Sequence, residues 1–67
     1  MWDRTKQKYW INRYRSPWSI IRVLDNEYIC DVAPFVNDSI LRQICFAGTD
    51  DDVMKLAEKI TRNSYAN

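Results

Sequence analysis

Two groups of residues have types that could do chemistry: a run of three carboxylates and two cysteines. Asp50, Asp51 and Asp52 are consecutive, and carboxylate oxygens are ligands that hard cations prefer. A calcium loop, however, places its acidic residues at alternate positions and closes on a glutamate, and that pattern is missing here. Thr49 directly before the run predicts a helix N-cap, and the positive end of a helix dipole favours carboxylates. We therefore interpret the run as the first turn of a helix.

The remaining side chains predict neither catalysis nor a cofactor. The chain has no histidine to serve as a general base or zinc ligand, and Gly48 is its only glycine, which rules out a glycine-rich phosphate loop. Cys30 and Cys45 both lie in apolar runs, where free cysteine behaves as a small buried hydrophobe. A Cys30–Cys45 disulfide is the alternative, but free thiols are favoured and agree with a cytoplasmic location. We expect no enzyme, metal or cofactor, and no membrane association, since no signal peptide or long apolar stretch is apparent.

The N-terminal quarter of the chain interleaves basic and aromatic side chains. Cations suit phosphates and rings suit unstacked bases, so single-stranded nucleic acid is one candidate ligand. Arginine and aromatic residues also anchor protein interfaces, and large rings can simply fill a core. All three readings stay open at this stage. The candidate partner-binding residues are Arg4, Lys6, Lys8, Tyr9, Trp10, Arg13, Tyr14 and Arg15, with Trp2 and Trp18 as further aromatic members of the pattern.

Charge divides the chain into two unequal parts. Residues 1–22 contain six basic side chains and one acidic, a net charge of +5, whereas residues 23–67 contain four basic and eight acidic, a net charge of −4. The total of +1 conceals this division. The opposite charges allow head-to-tail self-association, of which a symmetric homodimer is the simplest form.

Residues 17–67 read as a small α+β domain. Trp18–Leu24 and Glu27–Val32 are rich in β-branched and aromatic residues and flank Asp25-Asn26, a pair suited to a tight hairpin turn. Residues 39–47 fit either a strand or a short helix capped by Asp38; the strand, Ile40–Phe46, is favoured because a lone hairpin needs a third strand. The stripe of Val53, Leu56, Ala57 and Ile60 predicts an amphipathic helix over Asp50–Arg62.

The predicted fold is therefore a three-stranded antiparallel sheet with one C-terminal helix packed on one face. Residues 1–16 form a basic aromatic N-terminal arm, in which residues 1–8 could begin a helix and residues 9–15 alternate well enough for a strand. At 67 residues the chain holds one domain with a thin core. The predicted core residues are Trp18, Ile21, Val23, Tyr28, Cys30, Val32, Ile44, Phe46, Val53, Leu56, Ala57 and Ile60.

Pro17-Trp18, the segment Ile44–Asp50 and the helix Lys55–Ile60 together resemble a loose group of small phage and prophage proteins. Those proteins open on a Pro-Gly-Pro-Trp type motif, continue through short strands and close on a helix. The resemblance spans residues 16–63 and implies a three-stranded sheet with one helix in a phage-encoded chain. It carries over no functional residue.

These observations favour a non-enzymatic protein-interaction module. Given the resemblance, its expected role is that of a phage-encoded inhibitor of a host factor, with a host protein as partner in the host cytoplasm. The alternative is a small protein that binds single-stranded nucleic acid through the basic aromatic N-terminus.

Overall fold

A computed structural model describes residues 4–34 and 36–65, with side chains described over residues 5–34 and 36–63. A single 3₁₀ turn, Arg4–Lys6, precedes three strands: β1 (Tyr9–Asn12), β2 (Trp18–Arg22) and β3 (Glu27–Val32). Two helices follow, α1 (Asp38–Cys45) and α2 (Asp50–Tyr65). The fold is thus α+β, as predicted, but with two helices rather than one.

The three strands form one antiparallel sheet in the order β1-β2-β3. The turn between β2 and β3 covers residues 23–26, so it is two residues longer than the predicted Asp25-Asn26 turn, because β2 ends at Arg22 and not at Leu24. Asn26 has φ 58°, the left-handed conformation that asparagine tolerates and that the pair indicated. The register shifts inside the second pair of strands: Ile20 lies opposite Cys30, but Ile21 lies opposite Tyr28. Ile29 is therefore the extra residue of a β-bulge.

Both helices cover the same face of this sheet. Successive strand side chains alternate between faces, and the inward ones, Tyr9, Ile20 and Val32, pack with Ile44 of α1 and with Val53 and Ala57 of α2. Ile20, Val32, Ile44 and Val53 are completely buried. The core is a single layer between the helices and one side of the sheet.

The predicted strand Ile40–Phe46 is wrong: this segment lies within and just after helix α1. Its N-cap is Asn37, whose side-chain oxygen accepts a hydrogen bond from the Ile40 amide at 3.0 Å, rather than Asp38. Helical spacing brings Leu41, Ile44 and Cys45 onto one buried side. The third strand that the hairpin requires is β1. The segment Ile40–Phe46 is therefore not needed in the sheet.

Asn37→Ala tests the helical assignment of α1. The substitution removes the acceptor of the Ile40 amide, so we expect the free energy of unfolding to fall by about 0.5–2 kcal/mol. Chemical denaturation followed by circular dichroism measures this change. A matched Asp38→Ala variant should lose less, because its side chain is not the cap; equal losses from both variants would contradict the assignment.

Helix α2 agrees with its predicted start and amphipathic stripe. The hydroxyl of Thr49 accepts from the amide of Asp52 at 3.2 Å, as an N-cap should. The helix continues to Tyr65, three residues beyond the predicted end. Val53 and Ala57 are buried, and Leu56 and Ile60 pack partly buried against the core.

Other predictions on the strands need correction. The domain was predicted to begin at residue 17, but the sheet begins at Tyr9. Residues 9–12, which were assigned to the N-terminal arm, therefore form a strand of the domain. Val23 and Tyr28 are exposed, although both were expected in the core. Ile21 is also outside the core cluster, because its fully buried neighbour Ile20 takes the inward position. The bulge at Ile29 explains Tyr28, since it breaks the alternation that would have placed Tyr28 beside Cys30.

Candidate functional site

The structure distributes the predicted partner-binding residues along strand β1 and its two ends. Lys6 and Lys8 are exposed before the strand, while Arg13, Tyr14 and Arg15 are exposed in the loop after it. At about 3.3 Å per residue, the nearest members of the two basic groups, Lys8 and Arg13, are about 17 Å apart along the strand. Trp2 and the side chain of Arg4 lie outside the described residues.

Tyr9 is a core residue and does not belong to an exposed binding surface. Its side chain is 3% exposed and packs in the core cluster. Its hydroxyl donates to Asp50 Oδ1, and the other oxygen of Asp50 accepts from the Arg22 guanidinium. The prediction of Tyr9 as a contact residue is therefore corrected, because a buried ring cannot stack on a base or a partner.

The burial of Tyr9 predicts a loss of stability at alkaline pH. Desolvation, followed by the hydrogen bond to Asp50, raises the pKa of Tyr9 from 10.0 to about 12. Between these values the unfolded chain loses the phenolic proton while the folded chain keeps it, so stability is full below pH 10 and falls as the pH rises towards 12. The slope approaches roughly 1.4 kcal/mol per pH unit. Urea denaturation of wild type and Tyr9→Phe over this range isolates the contribution; parallel pH profiles would contradict it.

Arg22 also has a structural role, although it is one of the six basic residues counted in residues 1–22. Its guanidinium donates to both oxygens of Asp25 at 2.9 and 2.7 Å and also reaches Asp50. The hydrogen bond with Asp25 is the main reason why the pKa of Arg22 is raised and that of Asp25 is lowered. The ion pair between Arg22 and Asp50 connects β2 to the start of α2, and the two ion pairs together compensate the charge of Arg22 within the chain.

The face of the sheet opposite the helices carries a row of three large side chains, one from each strand. Trp10 lies opposite Ile21, and Ile21 lies opposite Tyr28. Trp10 and Ile21 are partly exposed, Tyr28 is 55% exposed, and none of the three packs against the core cluster. We call Trp10, Ile21 and Tyr28 the outer row.

Polar residues frame the outer row at one end. Asn12 and Ser19 are paired on the same face, and Ser19 pairs in turn with Asp31. The hydroxyl of Tyr28 donates to Asp31 at 2.9 Å, and this hydrogen bond is the main reason why the pKa of Tyr28 is raised. The bond holds the Tyr28 ring across the sheet surface while leaving much of it accessible.

The loop after β1 presents an exposed ring between two cations. The Tyr14 side chain is 95% exposed, and its amide donates to the Asn12 side chain at 3.1 Å, which fixes the start of the loop. Arg13 lies over the Trp18 ring, 5.8 Å from its centroid, within the range of a cation–π contact. Arg15 is exposed.

A shallow groove of about 500 Å³ runs between β1 and α1. Trp10, Ile11 and Arg13 line its strand side, and Asp38, Leu41 and Cys45 line its helix side. The amide of Lys8, directly before β1, donates to the carbonyl of Cys45 at the end of α1 at 2.9 Å. The groove therefore adds a border of mixed polar and apolar side chains to the edge of the sheet on which Trp10 lies.

The cysteines and carboxylates that could have reacted or bound a metal do not form a reactive or metal-binding site in the described residues. Both cysteines are free thiols. Burial raises the pKa of Cys45 to about 11 and is also the main cause of the raised pKa of Cys30, so both are protonated at neutral pH and weak nucleophiles. Over the described residues, no three metal-ligating side chains converge. Within the same residues, no helix is long and apolar enough to cross a bilayer.

Sequence reasoning assigned Ile21 and Tyr28 to the core and so missed them as surface residues. The signal was present for Ile21, because Ile20 and Ile21 are adjacent and only one can point inward. Nothing in the sequence marks the bulge that reverses Tyr28. Among the predicted partner-binding residues, only Trp10 lies in the outer row with Ile21 and Tyr28.

Comparisons with protein-family models, with curated proteins and with solved structures gave no match.

Proposed function

We propose that this chain is a non-enzymatic protein-interaction module that binds its partner through the helix-free face of the sheet. The outer row, Trp10, Ile21 and Tyr28, is the observation that carries the proposal. Together with the resemblance to small phage proteins, it supports the role of an inhibitor that acts by occupying a surface of a host protein.

The composition of the outer row is what supports binding. An antiparallel sheet with one solvated face ordinarily alternates apolar residues inward with polar residues outward. Here the centre of the outward face holds tryptophan, isoleucine and tyrosine. Tryptophan and tyrosine are enriched among the residues that dominate binding energy at interfaces, and the polar side chains around them match the usual rim.

The proposal is tested by capturing partners from a bacterial lysate on immobilised protein. Ile21→Lys places a charge at the centre of the outer row and should abolish retention of the specific partner. Leu24→Lys is the matched control, because Leu24 is 88% exposed in the β2–β3 turn, outside the row. Truncation of residues 1–15 is unsuitable because it would delete β1.

Capture must survive nuclease treatment, and both variants must keep the thermal midpoint of the wild type. Equal capture by wild type and Ile21→Lys would contradict the proposed surface. Loss of capture by both lysine variants would instead indicate a general effect of added charge.

Single-stranded nucleic acid is a second candidate, favoured by the exposed Tyr14 ring between Arg13 and Arg15. If these two arginines, Lys6 and Lys8 each neutralise one phosphate, log affinity should fall with log salt at a slope of about −0.7 × 4, or roughly −3. Tyr14→Ala should weaken binding by about 1–3 kcal/mol if the ring stacks on a base. Oligonucleotide titration at two salt concentrations measures both; a dissociation constant weaker than ~100 µM at low salt would exclude this candidate.

A further inference from the structure

We infer that the free edge of strand β1 binds an extended, acidic peptide segment of another protein, which joins the sheet as a fourth strand beside β1. This site uses the edge of the sheet and not its helix-free face, so the inference does not depend on the proposed function. It follows from the direction of the backbone groups of β1, from the groove beside the strand and from the charges along it.

The backbone groups of Ile11 point away from the sheet. The carbonyl of Lys8 accepts a hydrogen bond from the amide of Val23, one position before the first register pair of β1 and β2. The backbone groups of successive strand residues point alternately to the two sides of the strand. Those of Trp10 therefore point towards β2, and those of Ile11 point to the free edge.

Hydrogen bonds from within the chain occupy the start of this edge but not its middle. The amide of Lys8 donates to the carbonyl of Cys45 at 2.9 Å, and the carbonyl of Tyr9 accepts from Gln7 Nε2 at 2.6 Å. For the amide and carbonyl of Ile11, the described parts of the chain supply no partner on this side. Unpaired backbone groups on a sheet edge are a template for another strand, and a peptide residue placed opposite Ile11 satisfies both of them.

The groove between β1 and α1 gives the added strand a place to lie. Trp10 and Ile11 both line it, and because neighbouring strand residues point to opposite faces, a groove that contacts both runs along the edge of the strand. A peptide side chain opposite Ile11 points to the same face as Ile11. On that side Leu41 and Cys45 line the groove, so the site favours a small apolar side chain at this position of the peptide.

The charges along β1 favour an acidic segment. Residues 5–16 contain no acidic residue and four exposed basic ones, Lys6, Lys8, Arg13 and Arg15. Within the described residues, Asp38 is the one acidic side chain that lines the groove. The basic side chains outnumber it, so glutamate or aspartate at the ends of the added segment is attracted to them. This attraction gives orientation and selectivity more than affinity.

Amide hydrogen exchange with and without a peptide probe tests the added strand. The probe is a short acetylated and amidated peptide of alternating threonine and valine with glutamate at both ends. In the free protein, the Trp10 amide should exchange slowly and the Ile11 amide quickly. At about 90% saturation with the probe, exchange of the Ile11 amide should slow roughly ten-fold, because it then proceeds only from the free fraction.

Modified probes test the backbone pairing and the charge preference. N-methylation of both valines removes the donors that point to β1 and should abolish the protection of Ile11. N-methylation of two threonines, whose amides point to the opposite edge, should leave it unchanged. A probe with lysine in place of glutamate should bind at least about ten-fold more weakly at about 50 mM salt.

Two protein variants complete the experiment. The double variant Lys8→Glu and Arg13→Glu should bind the lysine probe more tightly than the glutamate probe, because the charge beside β1 is reversed. Ile21→Ala, on the helix-free face, should bind the glutamate probe as the wild type does, which separates this site from the outer row.

The inference is overturned if the Ile11 amide gains no protection at about 1 mM probe, whatever surface captures a partner from the lysate. Equal protection by the valine-methylated probe would exclude backbone pairing, and equal binding of the glutamate and lysine probes would exclude an acidic segment. An Ile11 amide that exchanges slowly without any probe would also overturn it. If that slow exchange disappears on dilution, the edge is occupied by a second copy of this chain instead.

Discussion

Replacement of Ile20 by alanine should lower the free energy of unfolding by about 2–5 kcal/mol. Ile20 is completely buried at the centre of the sheet and contacts the layer beneath both helices, so truncation leaves a cavity between packed elements. Stability in a domain of this size is a small difference between large terms. A loss of this size would therefore leave a large fraction of the chain unfolded near physiological temperature.

Ile21→Ala is the matched control for this prediction. The residue type, strand and substitution are the same, but the side chain points to the opposite face and is partly exposed. We expect a loss clearly smaller than that of Ile20→Ala, measured by urea denaturation. A larger loss at Ile21 than at Ile20 would mean that the strand faces are assigned the wrong way round.

Tyr9→Ala should destabilise the fold by about 3–5 kcal/mol, the range for a large aromatic side chain removed from a core. The substitution removes the ring from the core cluster and the hydroxyl from Asp50. Tyr9→Phe separates the two effects, since it keeps the ring and removes only a hydrogen bond to a carboxylate, worth about 1.5–3 kcal/mol.

Tyr14→Ala is the control for Tyr9, because both tyrosines were candidates for partner binding and only one is buried. The Tyr14 side chain is 95% exposed, so the thermal midpoint of Tyr14→Ala should stay close to that of the wild type. Calorimetry measures the thermal midpoints of both variants. Equal destabilisation by Tyr9→Ala and Tyr14→Ala would show that Tyr9 is not a core residue.

The elements that the sequence predicted best are those with several signals at once. Helix α2 combines the Thr49 cap, the acidic first turn and a stripe at helical spacing, and it begins where expected. The position of the β2–β3 turn was identified from the residue types of Asp25 and Asn26, although the turn also includes Val23 and Leu24. In both places local propensity and the final fold agree, and prediction from one sequence is most accurate under that condition.

The elements that the sequence predicted poorly depend on tertiary context. Residues 39–47 carry an apolar pattern that fits two structures, and β1 decides between them by supplying the third strand. A four-residue strand such as Tyr9–Asn12 is too short to be separated from an irregular segment by its pattern alone. The candidate site was predicted only in part for the same reason. Trp10 was predicted as a binding residue, whereas the exposure of Ile21 and Tyr28 depends on the strand register and on a bulge.

The most direct test of the proposed binding surface is the two-dimensional amide spectrum of isotope-labelled protein during titration with the unlabelled captured partner protein. The account predicts that resonances of the outer row, Trp10, Ile21 and Tyr28, shift together, while those of Arg42 and Lys55 on the exposed sides of the helices stay in place. Shifts confined to the helices, or to residues 13–15, with the outer row unchanged would contradict it.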